Sequence, residues 1–250
     1  AKAAGRTRLL ASSNDRVAAG APFLTRHAFT AGLANHVNQL TLEALNLETM
    51  RDWVSAARQR ATGYELFTLH GAYPEDGLEA ITRLMDVMNT APRGDLDVED
   101  FHLTPELVRQ MEAMMTARGG TRTTTFARHV SSGELVGYSE LTWNLNRPGI
   151  VEQQGTGVHP DHRGHGLGRA LKAANALAML ERNPDARFIR TGNADENAPM
   201  LKINTDMGFK PYYAATEWQA NVDDVLACIG SRESGIGNRD SGLEKHEGGA

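Results

Sequence analysis

Residues 158–169 read Val158-His159-Pro160-Asp161-His162-Arg163-Gly164-His165-Gly166-Leu167-Gly168-Arg169. The stretch lies between a strand expected over Ile150 to Val158 and a long helix expected from Gly166 to Leu180. Its three glycines stand at alternate positions. Glycine permits positive φ and close backbone approach, so the turn is able to point several N–H groups at one anion. The helix that begins there adds the positive end of its dipole. This geometry suits a pyrophosphate.

Spacing decides which pyrophosphate motifs fail. A Walker A loop needs Gly-Lys followed by Ser or Thr, and this turn has Gly168-Arg169-Ala170. A dinucleotide fingerprint needs its third glycine three residues after the second, a place held here by Arg169. The bland alternative is a glycine-rich helix start with no ligand, although three glycines there are costly without a reason.

Working outward, Tyr64 to Leu69 reads as a strand and Pro74 to Met88 as a helix, with Leu78, Ile81, Leu84, Met85 and Met88 near one face. Thr104-Pro105-Glu106 opens a second helix, with Thr as N-cap and Pro at the first helical position. Thr121 to Val130 and Leu135 to Asn144 form a hairpin through Ser132-Gly133. After the glycine turn come a strand over Arg187 to Thr191, a helix over Ala198 to Met207 and a last strand over Tyr212 to Trp218. Early hairpins followed by late crossovers predict an α/β (α+β) fold, a mixed sheet with helices on both faces. Before residue 60 the pattern is weaker, with a strand over Arg6 to Ser12 and a helix over Arg16 to Thr25. Arg26-His27-Ala28-Phe29 matches Asp206-Met207-Gly208-Phe209 after a shift that also places Ser13 on Asn193, a faint internal repeat of strand, helix and strand.

The turn resembles motif A of the GNAT acetyltransferases, whose core is Arg/Gln-x-x-Gly-x-Gly/Ala. Arg163, Gly166 and Gly168 match it, and Val158 with Pro160 matches the Val-x-Pro that precedes it. A second family motif ends in Gly-Phe, and Asn197, Gly208 and Phe209 match it in register, with Met200 in place of Ala and Asn204 in place of Tyr. The resemblance implies a GNAT fold, with acetyl-CoA as co-substrate bound by Val158, His159, Arg163, Gly164, His165, Gly166, Leu167, Gly168 and Arg169, its pyrophosphate on backbone amides of the turn and its thioester oxygen on a backbone N–H of the Val158 strand. It also implies that pantetheine lies in a gap beside the Val158 strand, and that Asn197 hydrogen-bonds that arm, with Asn193 and Asn197 flanking the β-α junction after Thr191. Asn at a β-α junction is also a common cap residue. The implied organisation is a partial GNAT-like segment over 1–45, the end of a preceding domain. A partly helical linker over 46–62, an acetyltransferase domain over 63–228 and a disordered tail over 229–250 follow. The chain then looks like the C-terminal part of a tandem protein, with a preceding GNAT domain or a second copy as partner.

Acetyl transfer to a primary amine by direct attack needs a base, because the free amine is mostly ammonium at neutral pH. Glu152 stands where the family carries such a Glu, and a solvent-facing or ion-paired strand residue is the other reading. Glu140 is a weaker candidate. The family's acid position holds Asn204. Either Asn204 only orients the thioester, or Tyr212 or Tyr213 supplies the proton, or water does. Lys172 comes one helical turn past the loop, within reach of a phosphate or solvated. His159, His162 and His165 are spaced three apart across a turn that contains Pro160, so they share no helix face, and no metal is expected. The alternative to catalysis is a GNAT-like module that holds acyl-CoA, or only a partner domain, without turnover.

Bulk composition narrows the class. The 250 residues carry Lys plus Arg 26 against Asp plus Glu 31, a formal net charge of −5. That balance argues against a broad nucleic-acid face. One cysteine, Cys228, excludes an internal disulfide and sits in an apolar run where a buried role is expected. No run approaches a membrane span and no secretory signal opens the chain, so a cytoplasmic location is expected. The first residue is not Met, which suggests a processed or truncated piece. Residues 231–250 hold five Gly, seven charges and no aromatic residue, too little apolar area to offset ordering entropy.

Overall fold

A computed structural model describes residues 1–236. The elements in chain order begin with β1 (Arg8–Asn14), α1 (Gly20–Arg26), β2 (Thr30–Thr41), α2 (Leu47–Arg60), β3 (Tyr64–His70), α3 (Leu78–Met85) and α4 (Pro105–Ala117). They continue with β4 (Gly120–His129), β5 (Leu135–Asn144), β6 (Arg147–Val158), α5 (Leu167–Arg182), β7 (Phe188–Ala194), α6 (Ala198–Met207), β8 (Lys210–Asn221) and α7 (Val222–Ile236). Local chemistry accounts for several boundaries. Thr104 caps α4 by accepting from the Leu107 amide, with Pro105 following it. Gly208 ends α6 in the left-handed region at φ 97.

The chain divides into two compact units. The larger comprises 36–92 and 98–212. In it, β3, β4, β5 and β6 pair antiparallel in sequence order, and β7 joins β6 in parallel. The result is a mixed sheet, as the element order predicts. Neighbouring residues of β4 face opposite ways. Phe126 packs with Leu78, Ile81 and Leu84 of α3 and Val108 of α4, whereas Ala127 packs with Leu167 and Leu171 of α5. Beside α5 the core continues through Leu141, Trp143, Val151 and Ile189, closed by Met50 of α2. Helices therefore cover both faces.

The smaller unit comprises, among the described residues, 1–35, 93–97 and 213–236. Its β1 runs antiparallel to β8 from Arg8↔Asn221 to Asn14↔Ala215. Arg8 pairs with Asp97, and the Trp218 indole donates to Ser13 Oγ at 2.8 Å.

The faint sequence repeat recurs in secondary structure. β1 and β2 begin and end at the positions that β7 and β8 occupy 180 residues later. The turn after α1 is made by Ala28 at φ 64, the counterpart of Gly208 after α6. The second strand of that repeat is β2, although Thr30–Thr41 mixes Gly, Asn and His with isolated aliphatics and alternates weakly. Two sequence expectations need correction. Helix α7 runs to Ile236, into the stretch read as a tail, whose remainder at 237–250 lies outside the described residues. Cys228 is partly exposed rather than buried, with its thiol donating to the Arg26 carbonyl at 3.1 Å.

Candidate active site

β6 and β7 pair over only four positions, from Ile150↔Phe188 to Gln153↔Thr191. β6 continues to Val158 and β7 to Ala194. Past Gln153 and Thr191 the two strands part, and their facing edges carry peptide groups with no ladder partner. The divergent stretches, the glycine turn and α6 line a cleft of about 480 Å³. Buried backbone groups need partners, so an extended arm with amide groups suits this gap.

The turn closes one end of the cleft. Gly164 and Gly166 hold φ 85 and φ 76, and a Cβ added at either would meet nothing within 4 Å. Their glycine requirement is therefore conformational rather than steric. Gly166 precedes α5, and no side chain caps that helix. The first amides of α5 thus point out with the helix dipole behind them, ready for an anion. Arg163 braces the turn: its Nε donates to the Val158 carbonyl at 3.0 Å and an Nη to Thr90 Oγ1 at 2.9 Å. Arg169 pairs with Asp206 at 2.8 Å and lies over the Trp53 ring. Beside the turn, the Tyr64 hydroxyl bonds His162 Nδ1 at 2.9 Å, and the His129 and His162 rings approach to 5.0 Å between centroids. Among the described residues no group of His, Cys, Asp or Glu is placed to hold a metal ion.

Nine of the expected ligand-binding residues come together in the cleft wall: Val158, Arg163, Gly164, Gly166, Leu167, Gly168, Arg169, Asn193 and Asn197. His159 and His165 stand outside it. Asn197 also caps α6, accepting from the Met200 amide at 3.4 Å. Asn204 is buried behind the wall and donates to Asn193 Oδ1 at 2.6 Å, while its own Oδ1 has no partner.

Glu152 is in register with Arg190 across the β6/β7 ladder. Burial raises its carboxyl pKa, and the Arg190 charge opposes that rise. Arg190 also donates to the Tyr212 hydroxyl at 3.2 Å and to Gln39 Oε1 at 3.0 Å, with its guanidinium over the Tyr212 ring. Glu152, Arg190 and Tyr212 thus form one cluster. Strand alternation puts Glu152 and Arg190 on the sheet face opposite Val151 and Ile189, which pack with α5. Glu140 belongs to a different group, accepting from the Tyr73 hydroxyl at 2.5 Å and from Thr124 at 3.2 Å.

Lys172 differs from the solvated reading. It is 1% exposed, lines the cleft and makes no hydrogen bond or ion pair, with its ammonium 5.4 Å from the Phe209 ring centroid. Burial lowers its pKa to about 7. The signal was present in the sequence: Lys172, Ala176 and Met179 follow helical spacing along one buried stripe of α5. Thr90, Gln153 and Thr191, which also face the cleft, carry no motif that spacing alone would reveal.

No curated protein matches the chain. Among solved structures it is similar to a tandem GNAT protein from the clavulanic acid biosynthesis pathway, at 26% identity and TM-score 0.65, covering 88% of this chain and 66% of that one. It resembles a GCN5-related N-acetyltransferase from Kribbella flavida at 17% identity and TM-score 0.55, covering 88% of this chain and 70% of that one. A GCN5-related N-acetyltransferase from Sphaerobacter thermophilus matches at 14% identity and TM-score 0.58, over 87% of this chain and 61% of that one. The chain thus spans about two thirds of the length of these structures. The acetyltransferase (GNAT) family profile matches residues 82–209, which contain the splayed strands and the glycine turn, and the chain belongs to that family.

Proposed function

We propose that this protein transfers an acetyl group from acetyl-CoA to a primary amine by direct attack. The observation that carries the reading is the parting of β6 and β7 after Gln153↔Thr191, which opens onto an uncapped helix start flanked by two left-handed glycines. Amides of the glycine turn hold the pyrophosphate, and the open strand edges receive the pantetheine arm. A backbone N–H of β6 polarises the thioester oxygen.

Glu152 takes a proton from the attacking ammonium, directly or through water. Its raised pKa suits a base working near neutral pH. As the amine nitrogen bonds to the carbonyl carbon, the C–S bond breaks, the sulfur leaves as thiolate, and the nitrogen's remaining extra proton passes to that sulfur or to solvent. A thiol pKa of about 8.5 lets that happen without a strong acid. Tyr212 is the candidate donor, because Asn204 carries no exchangeable acid group and serves to orient Asn193. Residues 1–45 are read as the end of a preceding GNAT domain, because β1, α1 and β2 repeat β7, α6 and β8. The site of action is read as the cytoplasm, and among the described residues no helix is long and apolar enough to cross a membrane.

The test is a thiol-release assay with acetyl-CoA and a panel of polyamines, amino sugars, aminoglycosides and peptide N-termini. Amine-dependent release supports transfer. The burial of Asn204 at the family's acid position favours a second reading, a module that binds acyl-CoA without turnover. Saturable acetyl-CoA binding with no release for any amine would establish that reading instead.

A further inference from the structure

Lys172 is the residue in the cleft wall that combines burial, an ionisable amine and the absence of a hydrogen-bond or ion-pair partner. Arg163 and Arg169, the other cations of the wall, are both engaged. The residue is buried while its ammonium opens to the cleft without a counter-charge, and desolvating a lysine in this way is costly.

Its placement says which part of a ligand does so. Lys172 follows Gly168 by one helical turn, and helical side chains lean toward the N-terminus of their helix. The lysine stem therefore runs beneath Gly168, which offers no side chain of its own. A Cβ at Gly168 would lie 3.7 Å from Ile203 and 3.9 Å from Val158, so the α6 side and the β6 side both close in there. The ammonium is thus held below the turn that receives the pyrophosphate, beside the gap between β6 and β7. An arm running from that turn into the gap passes the ammonium with its amide carbonyls.

We propose that Lys172 is a ligand-binding residue of the cleft whose ammonium donates to a carbonyl oxygen of the pantetheine arm, so that acyl-CoA binding takes up a proton. The inference rests on the acyl-CoA reading of the cleft. Without ligand, burial holds the amine near neutrality at about pH 7. With a carbonyl acceptor in place, the charged form gains a hydrogen bond and the pKa rises.

Other titratable groups around the lysine do not supply this proton at pH 8. Arg163 and Arg169 stay charged. On α6, Asp206 is engaged by Arg169 and Lys202, and Lys202 is exposed. On β6 and β7, Glu152 and Arg190 occupy the opposite sheet face. His162, at the turn, is bonded through Nδ1 to the Tyr64 hydroxyl.

The test is calorimetric titration of the full chain with acetyl-CoA, which has no free thiol, at pH 8 in two buffers of different ionisation enthalpy. The wild type is expected to take up most of one proton per site. Lys172→Met, which keeps the stem volume, is expected to take up none. The wild-type dissociation constant should weaken by up to about tenfold per pH unit above pH 7.5, while the variant's stays flat. Thermal melts verify that the variant is folded, and Lys172→Leu serves as a second apolar replacement. Binding without proton uptake, or equal uptake by wild type and both variants, overturns the role of Lys172 and leaves the acyl-CoA reading standing. Failure of the wild type to bind acetyl-CoA at all overturns both.

Discussion

Gln153 and Thr191 are the last register pair of the parallel ladder between β6 and β7. Everything proposed for the cleft follows from what happens past that pair. The strands diverge by five residues on one side and three on the other, up to Val158 and Ala194. The glycine turn then converts the end of β6 into an anion site.

That turn yields the first prediction. Gly166→Glu places a carboxylate where the pyrophosphate is expected and forces a left-handed φ of 76 on a residue with a Cβ. Acetyl-CoA affinity should fall by at least about 100-fold, about 2.7 kcal/mol. Gly166→Ala meets no neighbour and should show mainly the backbone strain, about 1–2 kcal/mol in stability. Calorimetric titration and urea denaturation of both variants separate charge from strain. Unchanged affinity in Gly166→Glu would remove the pyrophosphate from this turn.

Glu152 supplies the second. Burial raises its pKa, so the acid limb of the rate profile should lie above the usual carboxylate range. Glu152→Gln should slow turnover about 100-fold near neutral pH, within the range for general-base loss. The deficit should shrink as pH rises, because the acceptor amine then loses its proton to solvent. A pH series with any active amine from the panel checks this, and parallel wild-type and variant profiles would exclude Glu152 as the base.

The sequence carried the fold and the anion turn because both are written in local rules. Gly164, Gly166 and Gly168 answer a backbone requirement that spacing reveals, and Thr104-Pro105 marks a helix start by its own chemistry. β2 is legible only through the repeat, because its residues take their strand state from neighbours far away in sequence, not from alternation. Lys172 was misplaced for a related reason. Its charge favours solvent, and only the tertiary packing of α5 against Phe209 and the cleft overrides that preference. Asn204 was recognisable as a departure from the family pattern, but its bond to Asn193 depends on a helix and a strand meeting.

Lys172 also governs a stability prediction that needs no ligand. The unfolded chain keeps that proton up to about pH 10.5, and the folded chain loses it above about 7. Between those values the unfolded state binds more protons, so this group makes stability rise with pH. Lys172→Met removes the penalty. The variant should be more stable by about 3–5 kcal/mol below pH 7, and the difference should close toward pH 10.5. Urea unfolding at a series of pH values tests it, and a destabilised variant at pH 6 would show that Lys172 has a partner that stabilises its charge.

The remaining prediction concerns the support on the other sheet face. Glu112, 6% exposed, bonds Arg122, accepts from the Tyr73 amide at 2.9 Å and pairs with Arg109 at 2.5 Å. Arg122 in turn lies over the Tyr73 ring and donates to the Gly71 carbonyl at 2.8 Å. Burial and the nearby Glu140 push the Tyr73 hydroxyl well up, so it stays protonated and keeps donating to Glu140. Glu112→Ala leaves the buried Arg122 charge with only the more distant Glu140 carboxylate at 3.8 Å, and the Tyr73 amide without an acceptor. The expected cost is about 3–5 kcal/mol. Glu112→Gln restores an acceptor but not the charge and should cost less. Because Gln153 Nε2 donates to the Glu140 carbonyl at 2.7 Å, the network reaches the last residue of β6 before the strands part. Glu112→Ala should therefore weaken acetyl-CoA binding as well as stability, whereas a purely local brace would change the denaturation midpoint and leave the titration untouched.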